Sequence, residues 1–274
     1  MDTFNTKVFS PNPALGQVVK HYRWVSFPIQ DQSFWVPSDS RNLMLYIFQG
    51  RAIIQDNQST FEQPKFSIRG TWDGSFKISF KGEILEVLGV EFTDIGLHHV
   101  TGIGGKYFVN KFDAAENHIT PDNSFYKSMD KLQGCPQEQV KQIEKLLLGC
   151  IKRNKQKPIP EFRKALEFAK SKSGNCTVKE LADISCLHEK TMNRYFAKYT
   201  GLSCKRYLSL LKFEYGCKEL LTHPDKNFSA LNISTDYFDQ SHFIHFFKSI
   251  GGLQPGELDQ VDATWIRFLT SLKD

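Results

Sequence analysis

The 274-residue sequence predicts an α+β protein. An N-terminal small β-barrel or sandwich with helices precedes an all-α part, in which two helix-turn-helix motifs are joined by a long helix. Three observations carry that prediction. Residues 33–95 alternate in short apolar and polar steps broken by turn residues, as in a compact antiparallel sheet. Residues 177–253 hold an internal repeat with an offset of about 51, in which Tyr195-Phe196 matches Phe246-Phe247 and Gly201-Leu202 matches Gly252-Leu253. A helical run over 203–222, ending before Pro224, separates the two copies.

Length allows two domains, placed at 1–134 (β-rich, sensing or dimerising), 135–160 (helical linker) and 161–274 (paired motifs). No apolar run reaches the ~18 residues that span a bilayer. The start, MDTFNTKVFSPNP, lacks a basic segment followed by an apolar one, so the expected location is cytoplasmic. Six cysteines at 135, 150, 176, 186, 204 and 217 are scattered without a CxxC, which argues against a disulfide framework or a zinc site. No metal and no cofactor is expected. The net charge of +5 is too small to announce a nucleic-acid partner, but its distribution is uneven. Residues 179–218 carry 8 basic and 4 acidic side chains, net +4, whereas 219–262 carry 2 and 7, net −5. Phosphate attraction would therefore concentrate in the first copy.

In chain order, Leu15, Val18, Val19 and Tyr22 stand at helical spacing and predict a short helix. Strands are expected at 24–27, 34–37, 42–48, 53–56, 65–69, 75–80 and 85–92, with turns at Gln49-Gly50, Asp56-Asn57, Asp73-Gly74 and Lys81-Gly82. Residues 85–92 form the clearest buried strand. A helix over 124–133 follows, then one opened by Pro136, whose stripe of Val140, Ile143, Leu146, Leu147, Cys150 and Ile151 suits intramolecular core better than a dimer seam. Residues 154–160 form the linker, and Phe162, Leu166 and Phe168-Ala169 open the C-terminal part.

Thr177-Val178-Lys179-Glu180 is a capping box that starts a short helix. The second helix, over 189–199, has the apolar stripe Met192, Tyr195, Phe196 and Tyr199. Its opposite face presents Lys190, Thr191, Asn193, Arg194, Ala197 and Lys198. Those side chains suit a DNA major groove: Arg pairs with guanine, Asn with adenine, and Lys or Thr holds phosphate. The plain alternative is a solvated helix face. In the second copy, Asn227 or Ser229 caps a helix bearing Leu231. Asp239 caps the next, with core stripe Phe243, Phe246, Phe247 and Ile250 and outward residues Gln240, Ser241, Ile244, His245 and Lys248. His242 and His245 sit i, i+3, where a surface polar role outweighs metal binding. The long helix would hold the two reading helices roughly 27–30 Å apart, close to one DNA turn of ~34 Å.

From about 162 to 258 the chain resembles the DNA-binding domain of the AraC/XylS family of bacterial transcription regulators. The resemblance is carried by Leu181-Ala182, Arg194-Tyr195-Phe196, Thr200-Gly201-Leu202-Ser203, Tyr207-Leu208, Leu220-Leu221, Phe238-Asp239-Gln240-Ser241-His242-Phe243, Phe246-Phe247-Lys248 and Gly252-Leu253-Gln254-Pro255. It implies two helix-turn-helix motifs in adjacent major grooves. The family's base-contacting positions match Lys190, Asn193 and Arg194, then Gln240, Ser241 and His245. Departures are Asn232 where the family has Ala, Cys186 and Asp236 where it has Gly, and His245 where Arg is common. Most fall in the acidic second copy, so the first motif is expected to supply most of the affinity.

The N-terminal part, through Pro11, Tyr22, Trp24, Val36-Pro37-Ser38-Asp39, Leu45, Phe48, Ile68, Gly70 and 88–92, is similar to an uncharacterised β-rich domain found before such helix-turn-helix domains. That implies a sensor or dimerisation module with an unknown ligand. Trp24, Trp35, Tyr46 and Trp72 could line a pocket, but aromatics in a small barrel are more often core. His98-His99 with Glu91 lacks the HxH pattern of a cupin-like metal site. The expected function is a sequence-specific transcription regulator, an activator or a repressor, with activation the expected sense. Its partners would be double-stranded DNA, a small-molecule effector, RNA polymerase and a second copy of the chain, and no membrane. The alternatives are a DNA-binding oligomerisation scaffold, or a DNA-modifying enzyme, for which the sequence offers no nucleophile, base and orienter.

Overall fold

The computed structural model describes residues 4–30, 33–155, 159–222, 240–252 and 254–255. Its N-terminal half is one antiparallel sheet of eight strands: β1 (Asn5–Phe9), β2 (Val19–Pro28), β3 (Ser33–Val36), β4 (Asn42–Gln55), β5 (Thr60–Glu62), β6 (Phe66–Arg69), β7 (Phe76–Phe92) and β8 (Phe112–Ala114). The order is β1-β2-β7-β4-β6-β8, with β3 added on β7 and β5 on β4.

β4 and β7 are longer than the sequence suggests. Gln49-Gly50 and Lys81-Gly82 read as turns, yet the chain passes through both as continuous strand. Gly50 (φ +76°) and Gly82 (φ +119°) both lie at positive φ, and the β4–β7 register shifts at Gln49 and Arg51. A Cβ on Gly82 would lie 3.3 Å from the Gly50 Cα, and one on Gly50 2.7 Å from the Ile84 carbonyl oxygen. The glycines therefore bend two paired strands at one place, as bulges do, rather than ending them.

The predicted helix around Leu15–Tyr22 is also corrected. Pro13–Leu15 forms one 3-10 turn capped by Asn12, and the chain enters β2 at Val19. Leu15, Val18, Val19 and Tyr22 are all buried, but the spacing that reads as helical is the sum of a turn and a strand.

Alternation along the strands gives the sheet two working faces. Met44, Tyr46, Leu88, Val90 and Phe92 pack against the helical layer. That layer consists of α1 (Gly96–Thr101), α2 (Asn123–Asp130) and α3 (Pro136–Asn154). The α3 stripe Val140, Ile143, Leu147 and Cys150 is buried in this same cluster, so it is intramolecular core. Leu43, Leu45, Ile47, Val87, Gly89 and Glu91 line a cavity on the opposite face.

The C-terminal helices are α4 (Pro160–Ser171), α5 (Val178–Ile184), α6 (Glu189–Tyr199), α7 (Cys204–Thr222) and α8 (Gln240–Gly251). They share one core that includes Phe162, Leu181, Phe196, Tyr207, Phe213, Phe243 and Phe247. Phe162 meets Phe196 edge-on at 5.1 Å between centroids, an arrangement aromatic rings favour. Tyr207, Leu208, Leu210, Leu211, Phe213 and Cys217 of α7 are all buried. Such burial on several faces marks a helix enclosed by neighbours. No helix among the described residues is long and apolar enough to cross a membrane.

Candidate nucleic-acid interface

The first helix pair forms as its local sequence dictates. The Thr177 hydroxyl accepts from the Glu180 N–H at 3.1 Å, and the Glu180 carboxylate accepts from the Thr177 N–H at 2.7 Å. This reciprocal pair satisfies two of the free donors at the start of α5. Cys186 in the turn sits at φ +52°, the left-handed conformation that costs a side chain about 1–2 kcal/mol. α6 starts from His188, whose Nδ1 accepts from the Lys190 N–H at 3.2 Å.

Met192, Phe196 and Tyr199 are buried beneath α6. Lys190, Asn193, Arg194, Ala197 and Lys198 are exposed on its other side, with Thr191 half-buried among them. The Asn193 amide donates to the Glu189 carbonyl at 3.2 Å. The Arg194 guanidinium lies 5.7 Å from the Tyr195 ring centre, and the Lys198 ammonium 5.1 Å from that of Tyr199. The polar tips thus stand on an aromatic base and remain accessible.

α8 repeats the arrangement with fewer charges. Phe243, Phe247 and Ile250 are buried, while Ser241, His245 and Lys248 are exposed and Ile244 is half-buried. The side chains of Gln240 and His242 lie outside the described residues, as do Asn227, Ser229, Leu231, Asn232, Asp236, Tyr237-Phe238, Asp239 and Leu253. Gly201 (φ +82°) and Gly252 (φ +72°), which the repeat aligns, both take the left-handed conformation just past α6 and α8. α7, between the copies, has 19 residues, a length of roughly 28 Å.

Contacts between the sheet and this module were not legible in the sequence. The Arg206 guanidinium in α7 grips Asp73, with N–O distances of 2.6, 2.9 and 3.1 Å. Tyr207 donates to Asp94 at 2.6 Å, and Lys170 of α4 pairs with the same carboxylate. Burial alone would raise the Asp94 carboxyl, but Lys170, Lys20 and the Tyr207 hydroxyl hold it below its usual range. Glu214 accepts from the Ser40 N–H at 2.5 Å and its hydroxyl at 3.1 Å; burial pushes the Glu214 carboxyl up.

The ends of α6 and α8 also rest on segments that border the strands of the N-terminal half. The Thr71 hydroxyl donates to the Thr200 carbonyl at 3.0 Å, just past α6. The Ser38 hydroxyl donates to the Ile250 carbonyl in α8. A Cβ on Gly105 would lie 2.6 Å from the Tyr199 carbonyl oxygen, and one on Gly252 2.4 Å from the Ser75 hydroxyl.

The four aromatics are packed as core, the role favoured for them in a small barrel. Trp24, Tyr46 and Trp72 are buried core, and Trp35 packs against the C-terminal helices. None of the four lines the cavity. His98 and His99 turn their Nδ1 atoms to the carbonyls of Ile103 and Ile95, at 2.9 and 2.8 Å.

Among the described residues this geometry defines one helix-turn-helix pair, α5 and α6, with α8 as a second helix of like pattern, backed by a β-sheet. Residues 181–260 match the family model described as a helix-turn-helix domain. Over 80 residues the chain is 31% identical to the HTH-type transcriptional activator RhaS of Escherichia fergusonii, a stretch covering 29% of this chain and 28% of RhaS. The chain therefore matches less than a third of that relative's length. Among solved structures, ToxT from Vibrio cholerae aligns over 93% of this chain and 97% of its own, at 10% identity and a TM-score of 0.47. The AraC-like transcriptional activator CuxR aligns over 70% and 79%, at 11% identity and a TM-score of 0.30.

Proposed function

We propose that the chain is a sequence-specific DNA-binding transcription regulator. Residues 161–274 would read DNA, 135–160 would link, and 1–134 would sense a small molecule or pair with a second copy. The observation that supports this most is the exposed face of α6. Lys190, Asn193, Arg194 and Lys198 project from a helix whose opposite side is fixed in the core, which leaves a hydrogen-bonding face free for a major groove.

In this reading Arg194 and Asn193 contact base edges. Lys190, Thr191 and Lys198 anchor phosphates or the groove wall. Gln240, Ser241 and His245 form a second, weaker contact one helical turn of DNA away. The exposed cations favour the first copy, with Lys190, Arg194 and Lys198 on α6 against Lys248 on α8. Activation through RNA polymerase belongs to the same proposal.

Selection of binding sites from random double-stranded DNA by the purified full chain tests it. Enrichment of one motif is expected, and failure to enrich any would overturn the reading.

A further inference from the structure

The cavity on the sheet measures about 90 Å³, room for about six to nine water-sized groups. Leu43, Leu45, Ile47, Ala52, Ile78 and Val87 supply an apolar body. At the polar end the lining carries Arg23, Arg41 and Arg69 against one carboxylate, Glu91. Glu91 is already engaged by Lys20 at 2.8 Å.

Arg41 and Arg69 share Asp39. The Arg41 guanidinium donates to it at 3.0 Å, and Arg69 donates at 2.8 and 2.9 Å. Both arginines are more than nine-tenths buried, at 8% and 2% exposure. Yet the Arg41 Nε and the Arg69 Nη1 have no hydrogen-bond acceptor. Buried guanidinium N–H groups without acceptors are costly, and here two of them belong to neighbouring walls of one apolar cavity.

We propose that this cavity binds a small molecule with an apolar body and a single carboxylate head, whose oxygens accept from Arg41 Nε and Arg69 Nη1. The assignment deepens the regulator reading and rests on it for its biological consequence. Its position links it to the reading helices. Asp39, held by both arginines, pairs with Trp72 through backbone bonds in both directions, at 3.0 and 2.9 Å. Ser38 and Ser40 flank it and contact α8 and α7, while Thr71 and Asp73 flank Trp72 and contact the end of α6 and Arg206. A head group on Arg41 and Arg69 would thus redistribute charge at the junction where both segments meet.

Calorimetric titration of the full chain with hexanoate, 1-hexanol and acetate tests the assignment. Hexanoate should bind about tenfold or more tightly than 1-hexanol, because its head makes charge-assisted hydrogen bonds. Acetate, lacking the body, should not bind measurably. Ala52→Phe, which puts a ring into the cavity, should abolish hexanoate binding. Arg69→Gln should erase the preference for hexanoate over the alcohol; if that variant does not fold, the comparison on the native chain still decides. Equal binding of hexanoate and 1-hexanol, no hexanoate binding at millimolar concentration, or undiminished binding by Ala52→Phe would overturn the proposal. DNA-site selection on the ligand-free chain is read separately. Failure there, with hexanoate bound as expected, would sink the regulator reading and leave the cavity assignment standing.

Discussion

Glu214, in the helix between the two motifs, accepts both the backbone N–H and the hydroxyl of Ser40, on the loop before β4. One carboxylate therefore ties the module's central helix to the segment that borders the cavity. Glu214→Ala would leave the half-buried Ser40 N–H without this acceptor, a loss of about 1 kcal/mol. Urea unfolding of the full chain should show this as a lower midpoint. An unchanged midpoint would mean that the tie contributes nothing.

Arg194 and Lys198 should fail differently. Arg194→Ala should cost about 1–3 kcal/mol and relax preference at one base position of the selected site. Lys198→Ala should weaken binding to all sequences alike and lower the slope of log affinity against log salt by about one. Competition assays at several salt concentrations separate the two. Unchanged base preference in Arg194→Ala would rule out direct readout by that side chain.

Cys186 holds a left-handed turn with an exposed side chain. Glycine removes the steric cost but adds unfolded-state entropy, so Cys186→Gly should stabilise by only about 0.5–1 kcal/mol. Thermal melts would show a small upward shift in midpoint. A downward shift would mean that the thiol makes a contribution the turn geometry does not reveal.

Acid should loosen the sheet. Burial works to raise the Glu91 carboxyl, but Lys20, Arg41 and His21 together hold it at about 2; Asp39 is likewise held down, against burial, by Arg41 and Arg69. A depressed carboxyl contributes stability that is complete above its unfolded value, 4.5 for Glu91, and is lost as pH falls through its folded one. Melting temperature should therefore fall between about pH 4.5 and pH 2. Glu214, raised by burial, acts in the opposite sense and partly offsets the loss. Lys20→Met should bring the folded Glu91 value back toward 4.5 and so shrink the acid-induced fall in melting temperature; a fall as large as that of the native chain would show that Lys20 does not hold Glu91 down.

What the sequence disclosed is local. The Thr177–Glu180 cap, the buried stripe of α6 and the two matched glycines each follow from residues within one or two helical turns. β4 and β7 were legible as strand but not as continuous strand, because Gly50 and Gly82 have the same composition signal whether they end a strand or bend it. As a cluster, Arg41, Asp39 and Arg69 leave no local signal, for another reason. Their meaning depends on a β4–β6 pairing that sets Leu43 opposite Arg69, and on Asp39 meeting Trp72 across the chain. A strict i, i+2 reading of Arg41, Leu43, Leu45 and Ile47 was the available signal. The ties from Ser38, Ser40, Thr71 and Asp73 to the helices span more than a hundred residues and leave no periodic trace.

Hydroxyl-radical footprinting of the full chain on its selected site tests the paired-reader account most directly. The account predicts two protected windows about 10 base pairs apart, centre to centre. The stronger window should be lost with Arg194→Ala and the weaker one with His245→Ala. A single window, or two windows that respond equally to both substitutions, would contradict it.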